Sequence, residues 1–133
     1  MTTGMKEGTT LLHVAQRVIA GLMILGTTIS LAWADDSDVC TKGRGDEKIS
    51  ACTRAIASER SKGANVAWAY NNRGNAYRSK GDYDRAIQDY DEAIRLDPKY
   101  SAAYYNRGSA FDDKGEYDRA IRDYNEAIRL NPK

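Results

Sequence analysis

Residues 67–99 read AWAYNNRGNAYRSKGDYDRAIQDYDEAIRLDPK, and residues 101–133 read SAAYYNRGSAFDDKGEYDRAIRDYNEAIRLNPK. The second stretch repeats the first at a shift of 34 residues, without a gap. Tyr70, Gly74, Ala76, Gly81, Tyr83, Ala86, Tyr90, Ala93, Leu96 and Pro98 return as Tyr104, Gly108, Ala110, Gly115, Tyr117, Ala120, Tyr124, Ala127, Leu130 and Pro132. A period near that length marks a unit of two helices joined by a turn. One such unit cannot bury its apolar face alone, so it stacks on its neighbour and leaves an extended surface. The pattern therefore points to a binding surface rather than a reaction centre.

The spacing of apolar residues predicts helices over Asn65 to Lys80, Tyr83 to Leu96, Ser101 to Lys114 and Glu116 to Leu130. Gly81 and Gly115 stand where glycine follows a helix end, and Asp82 is placed to cap the helix after it. Asp97-Pro98 and Asn131-Pro132 are stops, because a residue before proline avoids helical angles. Glu47 to Glu59 carries Ile49, Cys52, Ala55 and Ile56 on one stripe at steps of three and four, which predicts another helix. Asp35 to Asp46 is polar and holds Gly43 and Gly45, so it reads as a loop. Pairs at i,i+4 (Arg85 with Asp89, Asp91 with Arg95, Arg119 with Asp123) read as solvated faces, each worth about 0.2–0.5 kcal/mol. No strand pattern is present, and the predicted fold is all-α.

These residues resemble the tetratricopeptide repeat family, whose units pair an A helix with a B helix. Tyr70, Gly74, Tyr77, Ala86, Tyr90, Ala93 and Pro98 fall on the family pattern in the first unit (residues 67–100). Tyr104, Gly108, Phe111, Ala120, Tyr124, Ala127 and Pro132 do so in the second (residues 101–133). Arg73 and Arg107 depart from it, since leucine is commoner there; an arginine stem can cover apolar surface while its head stays wet. The resemblance implies a short right-handed α-solenoid in which Glu47 to Ser58 is a lone B-like helix ahead of two full repeats. It also implies that A helices line a concave groove. The positions facing it are Trp68, Asn71, Asn72, Asn75 and Arg78, then Ala102, Tyr105, Asn106, Ser109 and Asp112. Asn72 and Asn106 recur one unit apart and resemble the asparagine ladder with which some relatives hold a peptide backbone. The alternative is that these amides bond between neighbouring A helices, since a buried amide needs a partner. The lysine that would start a basic clamp for a carboxylate is not at its expected place.

Residues 1–34 carry a different signal. Lys6 and Arg17 precede an uncharged stretch, Val18 to Ala34, and Ala32-Trp33-Ala34 is a small-x-small site before Asp35-Asp36. This is the pattern of a secretory signal cut after Ala34; an uncleaved anchor is the other reading. The uncharged stretch is short beside the ~20 apolar residues of a membrane-spanning helix. Export predicts a periplasmic or secreted protein. In that setting an even cysteine count reads as a disulfide, Cys40–Cys52. Two free thiols are the alternative, and two sulfurs without a histidine are a poor metal site. Residues 35–64 then form an entry segment in which that bond stands in for a missing A helix.

Composition argues against other classes. Removing Lys6, Arg17 and Glu7 leaves equal numbers of basic and acidic residues in 35–133, with no basic stripe for nucleic acid. His13, the one histidine, lies in the leader, so no Ser–His–Asp or Cys–His site can form after cleavage. No glycine-rich phosphate loop occurs, and no cofactor is implied. The expected function is non-catalytic binding of a partner protein's peptide or helix. The second expectation is self-assembly: Tyr117, Ala120, Ile121, Tyr124 and Ile128 form an uncovered strip on the last B helix, or else the sequence is part of a longer array.

Overall fold

The computed structural model describes residues 36–61 and 65–132, and every element among them is a helix. Residues 36–42 form the described part of α1. It is followed by α2 (Gly45–Ser61), α3 (Ala67–Ser79), α4 (Tyr83–Leu96), α5 (Ser101–Asp113) and α6 (Tyr117–Leu130). The proposed leader, residues 1–34, lies outside the described residues.

Each A helix, α3 and α5, ends in the same way. Gly81 takes φ 78° and Gly115 φ 79°, a left-handed conformation that glycine adopts without steric cost. The amide of Asp82 then donates to the Tyr77 carbonyl at 3.0 Å, and that of Gly81 to Arg78 at 2.9 Å. Glu116 and Gly115 repeat both bonds on Phe111 and Asp112. This double closure satisfies the orphan carbonyls of the helix end and reverses the chain. The Asp82 side chain accepts from the Arg85 amide and caps α4, whereas Glu116 caps α6 without a side-chain bond.

From α2 onward each helix packs against the next, and α3 also touches α5. Two apolar clusters result. The larger joins Cys40, Cys52, Ile56, Val66, Ala69, Tyr70, Ala93 and Ala103; the smaller joins Ala86, Tyr90 and Ala110. Gly74 and Gly108 allow the closest approaches. A Cβ on Gly74 would lie 2.7 Å from Cε1 of the fully buried Tyr90, and one on Gly108 would lie 3.0 Å from the Tyr124 ring. Alanine lines both clusters because its small side chain lets the helices approach closely. Pro98 and Pro132 are exposed and act as helix stops rather than in packing.

Three expectations need correction. The segment expected to be a loop is helical over 36–42, so the first B helix has an A-type partner. Its last residues, Lys42-Gly43, stand 38 positions before Lys80-Gly81, as Asp46 and Thr53 stand before Asp84 and Asp91. Four extra residues between α2 and α3 shift this unit out of the main period and hide it. The Cys40–Cys52 bond ties α1 to α2, with both cysteines fully buried; it supports a helix instead of replacing one. Second, the i,i+4 ion pairs do not form. Arg85, Arg95 and Arg119 turn to Asp82, Glu92 and Glu116 at i−3. Third, Ala120 is buried, so it drops out of the uncovered strip.

Candidate functional site

Two of the charges expected to face solvent lie inside the units instead. Asp89 and Asp123 are buried. Arg73 reaches Asp89 through two bonds, Nε to Oδ2 at 2.8 Å and Nη2 to Oδ1 at 2.7 Å. Arg107 grips Asp123 in the same fork, at 2.7 and 2.8 Å. A planar guanidinium matches a carboxylate in this two-point geometry. The third nitrogen reaches back to the preceding unit: Arg73 to the Thr53 hydroxyl at 3.0 Å, Arg107 to Asp91 at 2.6 Å. The departure from leucine is thus a tie between A helix, B helix and neighbour, part-buried at the fork and exposed at the neighbour. Hydrogen bonding to Asp123 raises the pKa of the Arg107 guanidinium, and bonding to Asp89 does the same for Arg73.

The A-helix face is built by α3 and α5, and the scaffold uses part of it. Asn71 is buried, and its Oδ1 accepts from Asn106 Nδ2 at 2.9 Å. Asn75 Oδ1 accepts from the Tyr90 hydroxyl at 2.7 Å, and burial pushes that phenol's pKa well up. Ser109 is buried, donates to the Tyr105 carbonyl at 3.1 Å and meets the Tyr124 hydroxyl at 3.3 Å. Trp68 is half-buried against the larger cluster. Arg78 pairs with Asp113 at 2.6 Å. Of the expected ladder, Asn106 bridges to Asn71, while Asn72 is half-exposed. Tyr105 is 58% exposed, and its ring lies 5.4 Å from that of Tyr124.

Two open places adjoin this face. The first, about 430 Å³, is lined by Gly43, Arg44, Gly45 and Lys48 from the α1–α2 turn and by Asn75, Ala76 and Ser79 from α3. Lys48 Nζ donates to the Thr41 carbonyl at 3.1 Å, and burial lowers the pKa of its ammonium. Sequence reasoning missed Arg44 because it treated 35–46 as a loop, and Lys48 because it gave the helix that begins at Glu47 no A-type partner beside the groove. The Lys-Gly pair at 42–43, a copy of 80–81 and 114–115, is the signal that could have found them. The second place, about 770 Å³, lies between α5 and α6 and is lined by Ser101, Ala102, Tyr105, Tyr124, Ala127, Ile128 and Asn131. Among the described residues no three His, Cys, Asp or Glu side chains gather as for a metal ion, and no helix is long and apolar enough to cross a membrane.

The tetratricopeptide repeat profile matches residues 67–100 and 101–133, the two units just described. The chain belongs to the tetratricopeptide repeat family. Solved structures extend the likeness. The second tetratricopeptide domain of human RPAP3, in complex with the HSP70 peptide SGPTIEEVD, is 32% identical, covers 77% of this chain and 82% of its own, and has a TM-score of 0.64. The second such domain of Spaghetti (RPAP3), bound to the HSP90 peptide SRMEEVD, is 31% identical over 75% of this chain and 89% of its own, also at 0.64. MamA is 33% identical over 64% of this chain and 47% of its own, at 0.58. No curated protein matches the chain. The RPAP3 alignments take in more of the chain than the two matched repeats. Tetratricopeptide repeats are protein–protein interaction modules, and that is the class of function this fold provides.

Proposed function

We propose that this protein is a non-catalytic receptor for an extended, acidic peptide of a partner, held along the A-helix face of α3 and α5. The observation that carries the reading is the pocket in which Arg44 and Lys48 stand beside Asn75 and Ser79 at one end of that face. Two cations and an amide form a natural seat for a carboxylate. Asn72, half-exposed on α3, offers a donor and an acceptor to a peptide backbone. Tyr105 supplies an exposed aromatic contact, a type favoured in binding hot spots. Two relatives above 30% identity are solved with peptides ending in EEVD, which agrees with an acidic ligand. The protein works after export, in the periplasm or outside the cell, on the strength of the leader pattern and the paired cysteines.

Fluorescence anisotropy with labelled SRMEEVD as probe tests the reading. Arg44→Glu with Lys48→Glu should weaken binding by about tenfold, as loss of charge-assisted contacts does. Asn72→Ala should weaken it by a smaller factor. All three exposed or half-exposed sites should leave helicity unchanged. Equal affinity of parent and variants would remove the A-helix face from consideration.

A further inference from the structure

We propose that the open face between α5 and α6 is a second docking site, and that its occupant is an A-type helix from another polypeptide. The helix would carry two alanines seven residues apart and a lysine four residues after the second. This surface shares Tyr105 with the peptide-binding reading, but Ile128 and Asp118, on which its test rests, have no part in that reading.

The argument is internal to the chain. Ser101, Ala102, Tyr105, Tyr124, Ala127, Ile128 and Asn131 line the open face. One unit earlier the same positions are Ala67, Trp68, Asn71, Tyr90, Ala93, Ile94 and Asp97. That earlier surface is covered, and α5 covers it. Ala103 sits fully buried in the cluster of Ala67, Ala93 and Ile94, and Ala110 in that of Ala86, Tyr90 and Ile87. The copy of this seat on α6 has no such cover among the described residues, where α6 packs on α5 alone. Ile128 is 62% exposed and Ile121 56%, while their counterparts Ile94 and Ile87 are half-buried. An apolar surface shaped to receive a helix one unit back is shaped to receive one here.

Charge specifies the occupant further. Lys114, at the end of α5, reaches back to Asp84 in the first turn of α4 at 2.6 Å. Lys80, at the end of α3, pairs in the same way with Asp46 of α2. The next acid in this series is Asp118 in the first turn of α6, which is exposed. Both A helices share one spacing: Ala69, Arg73, Ala76 and Lys80 in α3, and Ala103, Arg107, Ala110 and Lys114 in α5. A helix with that spacing would bury its alanines over Ala127, Tyr124 and Ile121 and set its lysine against Asp118.

The probe is a labelled peptide with the sequence of residues 100–115, titrated with the full chain. Saturable binding is expected. Asp118→Lys should weaken it by about tenfold, and exchanging lysine for glutamate at the peptide's position 114 should restore it against that variant. Ile128→Lys should abolish binding with unchanged circular dichroism. Three results would overturn the proposal. One is a parent chain that ignores the peptide. The second is binding lost through Asp84→Lys but not Asp118→Lys, which means the peptide displaces α5. The third is self-association that persists in Asp118→Lys and excludes the peptide, which puts a second copy on the face.

Discussion

At the scale of single residues, the buried Arg–Asp forks are where physical chemistry overrode the simple pattern. Asp89 and Asp123 sit at spacings that suit an exposed helical pair. They turn inward because an arginine on the facing helix replaces a leucine and must be matched. Nothing within one helix reveals that, since the partners are 16 residues apart across a turn. The Arg73–Asp89 side chains are only 18% and 7% exposed. Breaking such a pair from one side leaves an uncompensated charge, so Asp89→Leu should cost about 3 kcal/mol. Arg73→Leu with Asp89→Leu together should recover most of it, since an apolar replacement of both is often neutral. Urea denaturation of the four proteins of that cycle reads the coupling; additive single effects would contradict the fork. The glycines were legible as a repeat position, and the structure adds their difference. Tyr90 is enclosed and cannot yield, while Tyr124 borders the open face. Gly74→Ala should therefore destabilise by about 1–3 kcal/mol, and Gly108→Ala by distinctly less, in the same assay. Equal losses would show that the open face gives Tyr124 no freedom.

At the scale of elements, the four helices of the two matched repeats were legible almost to their ends, because stop signals frame each one. Proline and the Lys-Gly turns set the boundaries, and the apolar stripe sets the face. The first unit was only half legible. The described part of its A helix, 36–42, is polar, without the aromatic positions that announce the others. What it lacks in apolar surface is offset by the Cys40–Cys52 bond, which closes a loop spanning a sequence separation of 12. A loop of that size is worth roughly 3 kcal/mol in the chain-entropy account. Reduction, or Cys40→Ala with Cys52→Ala, should lower the melting temperature by about 10–20 °C for a domain of this size. Thermal scans with and without reductant measure it, and superimposable curves would show that α1 contributes nothing to the fold. The same treatment should weaken the acidic probe, because Arg44 and Lys48 hang from the segment that the bond holds.

At the scale of the whole molecule, stacked units exchange stability only with their neighbours. Helix α3 touches α2, α4 and α5, whereas α6 rests on α5 alone among the described residues. Amide hydrogen exchange should therefore be slowest in α3 and α4 and fastest in α6, with opening energies falling along the stack. A helix docked over Ile128 should slow α6 selectively; uniform protection throughout would mean the units open as one. The array itself was legible from its period. The candidate binding face was legible only as a list of positions, because which of its amides serve the scaffold depends on side chains from the next helix. The third nitrogens of the two forks carry one more implication. Arg73 meets a hydroxyl on Thr53 and Arg107 a carboxylate on Asp91, while the corresponding place on α6 holds the amide Asn125. The labels sit on the B helices, so exchanging the two units, though their sequences nearly coincide, would leave the first seam an arginine–hydroxyl contact but turn the second from arginine–carboxylate to arginine–amide: near-identical bricks are still laid in a fixed order.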